Sequence, residues 1–271
     1  MNVVNRDCPS NFPSPPSSLV CKGQSRHCSQ SCHPPAGGSA LSRAELNTCN
    51  VGCVDANNEC NACYIWLSSL CGCIQQLQQG KQTTCLPSAS ITSGKSTPPV
   101  WMVNSAHDLM VPTYQIPGIL QLYKIPNYVS GFNFGQHTVW TMYKKDGTLS
   151  VNSVVGRTAE QLHVHLCKNP NSKVRGILDG LNHAQYKSLA PIDLKKVHSG
   201  WAMECRVASA SGANIDQGGD IINHLQQLDK SQGHDNCAQY HVGSGYMVDT
   251  KGFAWSCVTT TGSAEELFCH L

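Results

Sequence analysis

The chain has 271 residues, 13% of them charged, and a formal net charge of +2. That balance supplies no basic face of the kind that holds nucleic acid, and no apolar run reaches the ~20 residues that span a bilayer. Sixteen cysteines would be an oxidation liability in a reducing cytosol, so disulfides in an oxidising compartment are expected.

The opening residues, Met-Asn-Val-Val-Asn, have neither a basic n-region nor an apolar h-region. The expectation is a secreted, extracellular protein whose signal peptide is already removed, with Met1 an added residue. Residues 9–20 are proline-rich and read as an extended arm. Cys28/Cys32 and Cys49/Cys53 then repeat at one-turn helical spacing, and Ser42-Arg-Ala-Glu45 forms a capping box before the second pair. Two antiparallel helices stapled by two bridges satisfy that pattern. Cys60/Cys63 and Cys71/Cys73 continue it around an apolar helix from Ala62 to Leu77. Cys60-Asn-Ala-Cys63 also has zinc or redox spacing, but no second matching pair stands at a characteristic distance, which favours stapling.

Eleven cysteines lie at or before Cys85 and five follow. Both counts are odd, so one bridge between the two groups, or a free thiol, is expected. Residues 80–99 are rich in Ser, Thr, Gly and Pro and read as a linker. The expected organisation is a mainly helical, disulfide-rich module over 1–95, structural or targeting in role, and a catalytic domain over 96–271.

The second part reads as α+β. Val100–Val103 and His107–Pro112 are strands about a turn at Asn104-Ser105. Residues 135–143 suggest a helix, Leu149–Ser153 a strand, and 161–167 the next strand. Ser172–Leu181 and Ile221–Lys230 read as helices. Tyr246–Asp249 and Phe253–Thr259 form a hairpin about Lys251-Gly252. An antiparallel sheet with flanking helices on one side follows.

The chemistry concentrates in residues 152–167. His163 and His165 alternate with Leu162, Val164 and Leu166, the period of a half-buried strand, so both imidazoles are expected on one face and the three aliphatics in the core. Just upstream, Gly156-Arg-Thr158 offers backbone amides, a guanidinium and a hydroxyl for a phosphate.

Five segments in order, Leu109–Tyr114, Val151–Ser153 with Gly156–Thr158, Leu162–Leu166, Gly200–Met203 and Gly243–Val248, with Ser263-Ala-Glu-Glu266 near the end, carry a resemblance. Over about residues 100–271 the chain resembles the CDP-diacylglycerol pyrophosphatase family of the histidine-triad (HIT-like) superfamily. The resemblance implies a HIT-like fold and a hydrolase of phosphodiesters or diphosphates. Its substrate is a phosphorylated small molecule, nucleotide or lipid, with a cytidine-diphosphate lipid as the family's own. No cofactor or metal is implied. His163 takes the middle position of the His-φ-His-φ-His pattern, the nucleophile, and His165 the third, which contacts phosphate. Gly156, Arg157 and Thr158 match the phosphate-binding turn. Asn152 and Tyr114 are read as further substrate-binding positions, with a plain loop role as the alternative for Tyr114, as for Lys124, which also follows the early strand.

The first triad position is Gln161. His107, five residues before Pro112, fits the place of a superfamily histidine near it, and the two are expected to pair. Glutamine keeps donor and acceptor capacity but cannot shuttle a proton, so protonation of the leaving group falls to His107, His165 or the leaving group's own chemistry. Zinc on His163 and His165 needs a third ligand absent from that strand, from Asp108 or His107. Two other readings stay open: a site repurposed for acid–base work on a phosphorus-free metabolite, and a non-catalytic phosphate-binding protein. The remaining candidates read more plainly. His27, His33, His183, His198, His224, His234, His241 and His270 read as solvated, Lys144 and Lys145 as a solvated charge pair, and Trp101, Trp140, Trp201 and Trp255 as core or rim.

Overall fold

Trp-Met-Val-Asn and Leu-Met-Val-Pro are short apolar runs, and they pair as antiparallel strands β2 (Trp101–Asn104) and β3 (Leu109–Pro112). The computed structural model describes residues 85–88, 101–104, 108–112, 118–153, 162–232 and 237–269. The chain falls into two units, residues 1–126 with 157–163, and residues 127–156 with 164–271. The cysteine pairs and helices expected before Cys85, and any bridge between the two cysteine groups, lie outside the described residues.

In the first unit, β1 (Cys85–Pro87) joins β2 antiparallel, so the segment expected as a linker contains a strand. Cys85 is buried and disulfide-bonded, and Ser88 exchanges hydrogen bonds with Trp101 through its backbone and hydroxyl. A covalent anchor and a paired edge outweigh a polar composition. The 3-10 turn Ile119–Lys124 buries Ile119 and Leu122.

The second unit is α+β. Its strands are β4 (Thr148–Val151), β5 (Val164–Cys167), β6 (Ala190–Ile192), β7 (Met203–Val207), β8 (Gly243–Val248) and β9 (Ala254–Thr259). They pair antiparallel in the order β5-β4-β8-β9-β7-β6. Four helices accompany them: α1 (Tyr128–Tyr143), α2 (Ser172–Asp179), α3 (Gln217–Gln232) and α4 (Ala264–Phe268).

The helices cover both faces of this sheet, a correction to the one-sided arrangement expected. Neighbouring residues of a strand point to opposite faces. Gln217 of α3 donates to Ser244 at 3.0 Å, while the next residue, Gly245, lies against the Phe268 ring of α4 so closely that a Cβ would run into it. Every residue of β8 and β9 is therefore buried, as in strands covered on two sides. On the α2/α4 side, Val174, Leu178, Leu267 and Phe268 pack with Met203, Met247 and Trp255. The cross-strand partners Cys205 and Cys257 are bridged there, and a second disulfide joins Cys167 to Cys269. Cysteine usage thus does yield disulfides, and they account for four of the five cysteines after Cys85.

The expected hairpin forms, and a buried carboxylate holds its turn. Asp249 accepts from the backbone N–H groups of Lys251 and Phe253, both at 2.9 Å, and from Trp255 Nε1 at 3.0 Å. Gly252 supplies the left-handed residue, φ 86°. His183 Nε2 stands 2.9 Å from the same carboxylate, with its ring against Phe253. Asp249→Ala leaves the two amides and the indole without their acceptor, and urea unfolding should show a loss of about 3 kcal/mol. A loss below about 1 kcal/mol would remove Asp249 from that role.

Three histidines expected to be solvated are not. His183 is held by Asp249. His224 is buried 3.5 Å from Glu204, and burial lowers its pKa below the usual imidazole range. His241 is buried too, with its pKa lowered for the same reason. In each case an aromatic, strand or helix neighbour distant in sequence removes the water that local polarity implied. His198 is exposed and stacks on Trp201. Trp101 and Trp255 are core residues, Trp140 is exposed, and Lys144 and Lys145 are solvated.

Candidate active site

The alternation read in residues 162–167 is realised in burial over 164–167, whereas Leu162 and His163 are both buried. Leu162, Val164 and Leu166 are all at 2% exposure or less. The strand itself starts at Val164, so His163 precedes it, while His165 is its second residue. His163 is buried.

His165 is placed by β5 and β4 together. It stands in register with Ser150, and Asn152, two residues further on, continues that face just past the end of β4. Across from them α4 begins. Ser263 caps that helix, its hydroxyl accepting from the N–H of Glu266 at 3.3 Å. The Cys167–Cys269 disulfide ties the residue after α4 to the end of β5. Between these two fastenings, Glu265 in the first turn is carried to His165, Oε1 lying 3.2 Å from Nδ1.

Asn152 completes the arrangement. Its Nδ2 donates to Glu265 Oε2 at 3.0 Å, and its Oδ1 accepts from the Glu265 N–H at 3.1 Å and the Ser263 hydroxyl at 3.3 Å. Both amide atoms are thus engaged with the start of α4. Expected as a phosphate contact, Asn152 here orients the carboxylate that meets His165.

Burial pushes the His165 imidazole down to about 4, so near neutral pH the ring is uncharged. A carboxylate accepts only, so Glu265 favours the tautomer with the proton on the nitrogen that faces it. An uncharged imidazole set against a carboxylate is a ring type suited to taking a proton or bonding to an electrophile.

Glu265 is the member of this cluster that the sequence did not single out. Its signal was present in Ser263-Ala-Glu-Glu266, where a capping serine precedes two acidic residues, but its meeting with His165 crosses 100 positions of sequence. Gly156, Arg157, Thr158, Gln161, His107 and Tyr114 lie outside the described residues. Among the described residues, no group of three or more His, Cys, Asp or Glu is arranged to hold a metal ion. No helix there is long and apolar enough to cross a membrane.

A second charged cluster lies on the other face of the same sheet. Arg206 Nε donates to Asp220 at 2.6 Å and its Nη2 to the Asp216 carbonyl at 3.1 Å. Burial raises the Asp220 carboxyl above its usual range, the Arg206 hydrogen bond opposing it. With Glu204 and His224, these pairs fasten α3 to β7 beside an open cleft. Compared with known proteins, the chain matches no family model and no curated protein.

Proposed function

We propose that this protein is a HIT-like hydrolase that cleaves a diphosphate of the nucleoside-diphosphate type through a histidine nucleophile, acting outside the cytosol. The observation that supports it best is the Asn152–Glu265–His165 relay, which supplies an oriented, neutral imidazole. Two disulfides in the second unit agree with an oxidising compartment.

His163, at the middle position of the motif, attacks phosphorus. The bond from that phosphorus to the bridging oxygen breaks, and a phosphomonoester departs with the electron pair. Its second pKa of about 6 lets it leave without a proton donor. That suits a site whose other histidine is uncharged, and it favours a diphosphate over a simple diester with an alkoxide leaving group. His165 then takes a proton from water as the water attacks the phosphohistidine. The N–P bond breaks and His163 is restored. Arg157 neutralises developing charge on the non-bridging oxygens and Thr158 donates a hydrogen bond to the phosphate, a role for a fixed donor worth about 3–4 kcal/mol in the transition state.

The test is chemical trapping. The full chain is incubated with a radiolabelled nucleoside diphosphate ester, quenched, and assayed for acid-labile label on protein. Label is expected on the wild type and not on His163→Ala. Label that survives His163→Ala overturns the nucleophile, and phosphate binding without label or turnover overturns the hydrolase in favour of a binding protein.

A further inference from the structure

On the sheet face away from His165, α1, the loop after β7 and the β8–β9 hairpin enclose a pocket of about 180 Å³. The two sites are on opposite faces by register. Ser150 stands opposite both His165 and Gly245, whereas Tyr246, the next residue of β8, stands opposite Leu149. The pocket's floor is Tyr246, Val248 and Ala254, and its wall is Trp140 with His137 of α1 and Asn214.

These residues have the makings of a binding site. Tyr246 is 5% exposed, and it lines this pocket. A phenol at a pocket wall offers its O–H to whatever occupies the pocket. Burial pushes the phenol up to about 12, so it stays a neutral O–H donor at any physiological pH. The Asn214 amide and the His137 ring stand on its wall and are exposed. Trp140 is 42% exposed, an unusual exposure for an indole inside a helix. Its neighbour Gln136 is pinned by two hydrogen bonds to the backbone of Ile215, at 2.7 and 3.1 Å, which fixes the wall against the loop.

The lining also limits what can enter. None of the ten lining residues is Lys, Arg, Asp or Glu, so no permanent charge there offsets a charged ligand. Drug-sized ligands occupy about 300–1,000 Å³, so this pocket takes a single ring system. An aromatic face, a phenol donor and an amide that both donates and accepts match a flat ring with polar edges. We propose that this pocket is a second ligand site, independent of the His165 face, for an uncharged planar heteroaromatic ring of nucleobase size.

Titration calorimetry of the full chain with adenosine and with cytidine, and with ribose as a non-planar control, tests this. At least one nucleoside should bind saturably and ribose should not. Trp140→Ala, at an exposed position, should weaken binding about tenfold through loss of ring stacking. Tyr246→Phe, which keeps the buried ring, should weaken it about fivefold through loss of one neutral hydrogen bond. His165→Ala should leave it unchanged. Cooperative thermal unfolding of each variant confirms the fold. Absence of saturable binding by both nucleosides, binding indifferent to both pocket variants, or binding abolished by His165→Ala would each overturn the assignment.

Discussion

His165→Ala is expected to lower steady-state hydrolysis by about 10²–10⁴-fold and, at the same time, to raise the amount of label trapped on His163. The opposite signs follow from the division of labour between the two imidazoles. Attack on phosphorus uses His163, so the intermediate still forms. Its breakdown needs a base for water, and the variant has lost it. Glu265→Gln acts on the same step indirectly, by loosening the tautomer and orientation of the ring, and should cost about 10–100-fold. The pH profile separates the two roles. With the His165 pKa pushed down to about 4, the acid limb of turnover should fall near pH 4 in the wild type, well below the ~6.5 of a solvated imidazole. His165→Ala should lose that limb. A limb near 6.5, or label that disappears in His165→Ala, would remove His165 from the breakdown step.

The same depression carries a stability consequence with a definite sign. In the unfolded chain His165 titrates near ~6.5, and in the fold near 4. Between those values the unfolded state binds more protons, so stability is fully present above pH ~6.5 and falls as pH drops toward 4. At ~1.36 kcal/mol per pH unit the loss is about 3 kcal/mol. The Glu265 carboxylate beside the ring opposes this, because it favours the charged imidazole.

What could be read in the sequence depended on how local the determining contacts were. The β8–β9 hairpin was legible because Lys251-Gly252 and the apolar runs on either side define it within 17 residues. The strand alternation around His165 was legible for the same reason, and it put Leu162, Val164 and Leu166 in the core. Helix α1 was harder. Its buried side carries Gly131, Gly135, Gln136 and Thr138 beside Phe132 and Val139, which dilutes the apolar stripe, and its start at Tyr128 follows a left-handed Asn127 that offers no side-chain cap. Strand β7 hid because its outward positions are Glu204 and Arg206, which look like surface but are matched by His224 and Asp220 of α3. Glu265 hid most deeply. Nothing within ten residues of it announces a histidine partner, and only the folding of α4 back onto β5 creates the pair.

That return of the chain sets up the largest expected effect on stability. The Cys167–Cys269 bridge spans 102 residues and has both ends in the second unit, one at the close of β5 and one immediately after α4. Closing a loop of that length restricts the unfolded chain by about 4.7 kcal/mol in the chain-entropy account. The Cys205–Cys257 bridge spans 52 and restricts it less. Replacing both Cys167 and Cys269 by alanine should therefore lower unfolding free energy by about 4 kcal/mol, more than the Cys205/Cys257 double variant does, as read from urea midpoints at constant slope. The two bridges should also differ in kind. Cys205 and Cys257 join strands that already exchange a full ladder, so their loss leaves the sheet and the His165 contact in register. Loss of Cys167–Cys269 frees the end of the short helix that carries Glu265, whose other fastening is Asn152. Below its melting temperature the Cys167/Cys269 variant should therefore resemble Glu265→Gln in turnover, whereas the Cys205/Cys257 variant keeps wild-type turnover until it unfolds. Equal turnover in the two cysteine variants would show that Asn152 and Ser263 alone suffice to hold Glu265 against His165.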